Sequence, residues 1–314
     1  MEEVPGEDVE RQAADRTLPR LPRHFLTGAE LSAAELEALL ERAAALKADP
    51  LGSRALAGRS VALLFEKHST RTRVSFEAGV FELGGHPLVL GRDQLHLARG
   101  ESIRDTALVF SRHVAAIGLR TGAHEIAEEL ARHASVPVIN MLTAGHHPCQ
   151  ALADLMTLRE AHGRLAGLKL AYVGDGNNVA RSLAILGGLA GVEVRVASPE
   201  GFELEPAAGA ALLTSDPGEA VRGADAVYAD VWVSMGDEES APGRRAALAP
   251  YRIDDELLDQ AAPGAFALHC LPAHPGEEIT PEVLYGSRQR IWDQAENRRH
   301  AQKALLELLV AGER

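Results

Sequence analysis

The sequence predicts an α/β fold made of two open, mostly parallel-sheet α/β domains. Three observations carry this. Apolar runs of strand length, such as Val61-Ala62-Leu63-Leu64-Phe65, alternate with segments of helical period. The alternation reaches a long helical segment ending near residue 161 and starts afresh at Leu168. The polar clusters with chemical interest follow the carboxyl ends of the apolar runs, where open α/β sheets bind ligands.

Taken in order, residues 1–22 are acidic, lack an apolar core and read as a disordered extension, neither a signal nor a transit peptide. Leu31-Ser32-Ala33-Ala34-Glu35-Leu36 opens a helix with a capping-box spacing, and Leu36, Leu39 and Leu40 mark its buried face. The strand at 60–65 follows, then a helix from about 69 to 83 in which Val74, Ala78 and Phe81 recur at helical spacing before Gly84-Gly85. Pro87 to Leu90 is a short strand, Asp93 to Glu101 a polar loop, and Ser102 to His113 a helix with Ile103, Leu108 and Val109 inward. Val114 to Leu119 is a strand ending at Arg120, Ala123 to His133 a helix, and Val136 to Ile139 a strand. In the second half, strands are expected at 168–173, 192–196, 224–228 and 265–268. A helix ending at Leu189 follows Gly174-Asp175-Gly176-Asn177-Asn178, and a charged loop spans Gly236 to Gly243. The last helix covers about 294–310. The domains are expected at 23–153, joined by the C-terminal helix at 294–314, and at 154–293.

Composition narrows the partners. A net charge of −13 disfavours nucleic acid and anionic membranes, although a local arginine cluster can still bind a small anion. Two cysteines, Cys149 and Cys270, make no disulfide framework and fit a reducing cytoplasm. No apolar run reaches membrane-spanning length.

The most informative stretch is Phe65-Glu66-Lys67-His68-Ser69-Thr70-Arg71-Thr72-Arg73. It sits where a buried strand becomes a helix. The first helical turn offers unpartnered N–H groups and the positive end of the dipole. Ser69 and Thr70 add hydroxyls, and Arg71 and Arg73 add charge, which together make a phosphate cradle. The plainer alternative is a serine cap followed by solvated arginines. Gly174-Asp175-Gly176-Asn177-Asn178 invites a dinucleotide reading, but position 179 is valine rather than glycine, and no acid closes the next strand. His269-Cys270-Leu271-Pro272-Ala273-His274 lacks the paired spacing of a structural zinc site.

Phe65-Glu66-Lys67-x-Ser69-Thr70-Arg71-Thr72-Arg73-x-Ser75-Phe76-Glu77 resembles the carbamoyl-phosphate motif of the carbamoyltransferases, and further motifs in the same order extend the likeness from about residue 24 to the C-terminus. The resemblance implies that Ser69, Thr70, Arg71, Thr72, His96, Arg120, His147, Gln150, Cys270, Leu271 and Arg298 bind carbamoyl phosphate. His96 would do so in a neighbouring subunit. Asn178, Asp230, Ser234 and Met235 would bind an amino acid, because Asp230-Val231-Trp232-Val233-Ser234-Met235-Gly236 is similar to the ornithine loop of ornithine carbamoyltransferases. Arg120, His147, Asp230 and Cys270 are the implied catalytic set. The resemblance also implies a C-terminal helix packed back on the first domain, no metal or organic cofactor, a homotrimer or multiple of trimers, and the substrates carbamoyl phosphate and L-ornithine. A different amine such as putrescine, or a non-catalytic metabolite-binding role, is the alternative.

Overall fold

The computed structural model describes residues 24–95, 100–233 and 241–311. The 1–22 extension, His96, Ser234, Met235 and most of the 236–243 loop lie outside the described residues. In chain order the first half comprises α1 (Ala33–Ala48), β1 (Ser60–Phe65), α2 (Thr70–Glu82), β2 (His86–Gly91), α3 (Ile103–Phe110), β3 (Ala116–Arg120), α4 (His124–His133), β4 (Val138–Leu142) and α5 (Pro148–His162). The second half comprises β5 (Lys169–Val173), α6 (Asn178–Leu189), β6 (Glu193–Ala197), β7 (Leu212–Thr214), α7 (Pro217–Val221), β8 (Ala226–Ala229), α8 (Ala241–Leu248), α9 (Asp255–Leu258), β9 (Phe266–His269), α10 (Pro281–Tyr285) and α11 (Ile291–Ala311).

The strands form two parallel sheets, ordered β2-β1-β3-β4 and β7-β6-β5-β8-β9. Each has one switch point, where the chain stops building outward on one side and resumes on the other. The switch lies between β1 and β3 in the first sheet and between β5 and β8 in the second. Crevices open at such points beyond the strand ends. The segment after β1 and the end of β3 flank one crevice, and the segments after β5 and β8 flank the other.

The central strands are buried on both faces, and successive residues join different apolar clusters as a period of two requires. In β1, Val61, Leu63 and Phe65 join the largest apolar cluster, while Ala62 and Leu64 face another with Ile117 and Val138. In β5, Leu170 and Tyr172 face the largest cluster, and Ala171 and Val173 a third. The largest cluster therefore receives one face of each sheet, with α5 and α11 between them. The C-terminal helix α11 packs on α5, α1 and α2, as expected.

Helix α1 carries a capping box, with Glu35 N–H on the Ser32 hydroxyl and Ser32 N–H on the Glu35 carboxylate. Ser32→Ala should lower stability by about 1 kcal/mol. An unchanged denaturant midpoint would show that the box contributes nothing.

Some sequence expectations need correction. Leu108 and Val109 are exposed, and α3 instead buries Thr106 and Ala107, facing α4. Helix α2 exposes Val74 and Phe81 and buries Thr72, Ser75, Phe76, Gly79 and Val80, so its most visible apolar spacing marks the outer face. Strand β4 starts after Pro137, which has no N–H to donate. The three-residue edge strand β7 was not foreseen, being too short to show a period. Helix α11 starts at Ile291, so Glu296-Asn297-Arg298 lies within it.

Candidate active site

The first-sheet half of the site begins at the N-terminus of α2. Ser69 is the N-cap, and its hydroxyl accepts the Thr72 N–H at 3.4 Å. Thr70 and Arg71 are exposed in this first turn, and Thr72 is buried. Arg120 arrives at the end of β3, level with Phe65 on β1. Its Nη1 lies 3.5 Å from the Thr72 hydroxyl, and its buried Nε has no hydrogen-bond partner among the described residues. Burial, then Arg298 and Arg71, lowers the Arg120 pKa to about 10. Arg298 comes from α11, 226 positions beyond Thr72, and its Nη2 reaches the same hydroxyl at 3.4 Å. Its Nη1 donates to Gln150 Oε1 at 2.7 Å. Two guanidinium groups thus reach one buried threonine, with the Arg71 charge acting on Arg120, an arrangement that calls for an anion.

His147 caps α5 and is buried. Its backbone N–H donates to the Ser182 hydroxyl at 2.8 Å, and its Nδ1 has no partner among the described residues. Burial, then Arg298 and Arg120, holds it well below the usual histidine range, so the ring is neutral. A neutral imidazole beside arginines can donate one hydrogen bond to a carbonyl oxygen without adding charge.

The second-sheet half is built at the ends of β5, β8 and β9. Gly176 is required by close approach, since a Cβ there would lie 2.3 Å from the Leu204 nitrogen. Asn177 caps α6, accepting the Val179 N–H at 2.9 Å, and its amide donates to Asp230 Oδ2 at 2.7 Å. Asn178 donates to the Thr143 carbonyl at 2.6 Å, bridging the second-sheet half to the loop after β4. Cys270 follows β9, and its thiol donates to Asp230 Oδ1 at 2.8 Å. Burial and the Asp230 charge push this thiol well up, so it stays protonated and is poorly suited to act as a nucleophile. Arg71 counts among the charges acting on Cys270, and Cys270 among those acting on Arg120, so the two halves face each other.

Behind Cys270, His269 Nδ1 accepts the Leu271 N–H at 2.8 Å, which leaves the proton on Nε2, bonded to Glu278 Oε1 at 3.1 Å. Both side chains are buried, and together they hold Leu271 at φ 60°, a left-handed conformation unusual for leucine. The described residues also bring His274, Glu277 and Glu278 together, but Glu277 pairs with Arg245 and Glu278 with His269.

The structure therefore gathers Ser69, Thr70, Arg71, Thr72, Arg120, His147, Gln150 and Arg298 on one side, and Asn178, Asp230, Cys270 and Leu271 on the other. The sequence reading missed Asn177, Asp154, Gln294 and Glu278. Asn177 had a visible signal, as an asparagine opening a helix beside Asn178. Asp154 and Gln294 are polar residues inside helices and meet across 140 positions, and Glu278 is a turn residue whose buried partner His269 comes from the end of β9.

Two parallel-sheet α/β bodies meeting at an arginine-lined crevice place this chain among α/β proteins that bind a small anion between two sheets. Residues 23–160 match the domain described as "Aspartate/ornithine carbamoyltransferase, carbamoyl-P binding domain", and residues 166–309 match the "Asp/Orn binding domain" of the same description. An ornithine carbamoyltransferase of Acidothermus cellulolyticus is 54% identical over 301 residues, covering 92% of this chain and 96% of that protein. The solved ornithine carbamoyltransferase of Pyrococcus furiosus superposes with a TM-score of 0.88 at 45% identity, covering 94% of this chain and 99% of that one. The Thermus thermophilus ornithine carbamoyltransferase gives 0.86 at 45% identity, covering 92% and 99%. The chain belongs to the aspartate/ornithine carbamoyltransferase family.

Proposed function

We propose that the chain transfers the carbamoyl group of carbamoyl phosphate to the side-chain amine of L-ornithine, giving L-citrulline and phosphate. The observation that carries this reading is the meeting of Arg120 and Arg298 on Thr72, with the Arg71 charge acting on Arg120, opposite a thiol–carboxylate pair beyond the second sheet. In the proposed mechanism Ser69, Thr70, Arg71, Thr72 and Arg298 clamp the phosphate. Thr72, Arg120 and neutral His147 donate to the carbamoyl oxygen and stabilise the charge that builds there as the amine attacks. Gln150 and the Leu271 carbonyl face the carbamoyl nitrogen. Asp230 and Cys270 hold the amine, and Asn178, Ser234 and Met235 the α-amino acid end. The amine lone pair forms the new C–N bond, the C–O bond to phosphate breaks, and the departing phosphate takes the amine proton. No group on the chain needs to become a thiolate or an imidazolium.

Domain closure would dry the site before transfer, with residues 23–153 and the C-terminal helix carrying the phosphate half and residues 154–293 the amine half. His96 would reach a neighbouring subunit's site in a trimer, and the exposed Val74 and Phe81 on one face of α2 supply apolar surface for an assembly. A reducing cytoplasm suits the two free cysteines. No described helix is long and apolar enough to cross a membrane. Role in arginine biosynthesis or in the reverse direction depends on the host's substrate supply.

The test is phosphate release from carbamoyl phosphate, with the carbamoylated product identified, when ornithine, putrescine and aspartate are offered in parallel. Ornithine should be used far faster than the others. Preference for putrescine would refute the amino-acid reading, and no turnover with any amine would favour a binding role.

A further inference from the structure

We propose that Asp154 is a positioning residue for this transfer: its buried carboxylate fixes the side-chain amides of Gln150 and Gln294, and through them ties Arg298 to the strand end that carries Cys270. The inference rests on the carbamoyl-transfer reading and assigns its site a residue outside the substrate contacts.

Asp154 lies on α5, one turn after Gln150, and is fully buried. Its Oδ1 accepts from Gln150 Nε2 at 2.8 Å and from Gln294 Nε2 at 2.6 Å. An amide whose NH2 is claimed in this way must turn its oxygen elsewhere. Gln150 Oε1 faces Arg298 Nη1 at 2.7 Å, and Gln294 Oε1 accepts the His269 N–H at 2.9 Å. Arg298 leads on to Thr72, and His269 is the residue before Cys270. One carboxylate therefore joins the phosphate half to the thiol half through two amides. Without it, either amide could flip, and Gln150 would then point NH2 at a guanidinium. A charge-assisted bond is about twice as strong as a neutral one, so the ionised form holds the network best.

The carboxylate changes charge in the range that matters. Burial raises its pKa to about 7, against the pull of Gln294, Gln150, Arg298 and Tyr228. The titratable and charged groups facing it are Arg298 from α11, Tyr228 from β8 and Cys270 beyond β9. Tyr228 and Cys270 are both pushed well up, and Arg298 stays a cation, so none of them changes charge near neutrality. Below about pH 7 Asp154 takes up a proton and the network loses its charge.

The experiment is calorimetric titration of the full-length protein with carbamoyl phosphate from mildly acid to mildly alkaline pH. Wild-type affinity should weaken as pH falls through about 7. Asp154→Asn keeps the shape and should bind weakly at every pH, on the order of tenfold below the alkaline wild-type level, with the pH step gone. Gln294→Met removes a bond that favours the charged form and should move the step to higher pH. Thermal unfolding of each variant checks that it is folded. A step that persists unchanged in Asp154→Asn, or fails to move in Gln294→Met, overturns the proposal. A wild-type protein that binds no carbamoyl phosphate instead overturns the transfer reading itself.

Discussion

Arg71→Lys should lower kcat/KM for carbamoyl phosphate by roughly 10²- to 10³-fold, the scale of losing one preorganised donor to developing charge. Arg71 stands in the first turn of α2, where the Ser69 cap and the strand β1 fix the backbone. Lysine retains the positive charge but gives up the planar fork that grips two phosphate oxygens at once. The side chain is exposed, so little packing is lost and the unfolding temperature should hold. Steady-state kinetics and a melting curve on the same preparation separate the two effects. Near-normal turnover in the lysine variant would remove Arg71 from the site, and a collapse in stability would make its role structural.

Asp230→Asn should weaken ornithine use by about 1.5–3 kcal/mol, the value of a charge-assisted contact. In the free protein Asp230 already holds Cys270 and Asn177, at 2.8 and 2.7 Å. An incoming ammonium or amine would take over a carboxylate oriented in advance. Cys270→Ala should also impair ornithine use, because it removes the thiol that fixes Asp230 Oδ1. Carbamoyl phosphate binding to the free enzyme should change little in Asp230→Asn, since its arginines belong to β3, α2 and α11. Cys270→Ala can affect it modestly through the adjacent Leu271 main chain. Calorimetry with carbamoyl phosphate, run beside kinetics in ornithine, decides the matter. Loss of carbamoyl phosphate binding with intact apparent ornithine affinity in Asp230→Asn would contradict the division between the two halves.

The sequence by itself determined the alternation of strands and helices, the capping box of α1 and the cradle after β1. These are local properties: a period, a cap and a strand-to-helix turn are written within a dozen residues. The family motifs placed Arg120, His147, Asp230 and Cys270 at strand ends or helix starts, and each lies there. Only the tertiary structure decided which apolar stripe is inside. Val74 and Phe81 have helical spacing, yet α2 turns them outward, because its other face meets α11. Only the tertiary structure brought Arg298 to Thr72 and Gln294 to Asp154, pairs separated by 226 and 140 positions. A polar side chain in an apolar helix reads in sequence as a blemish. Its meaning depends on a partner delivered by a distant segment, and no local spacing encodes that meeting. Burial then fixes its chemistry, as with Asp154 near neutrality and His147 uncharged.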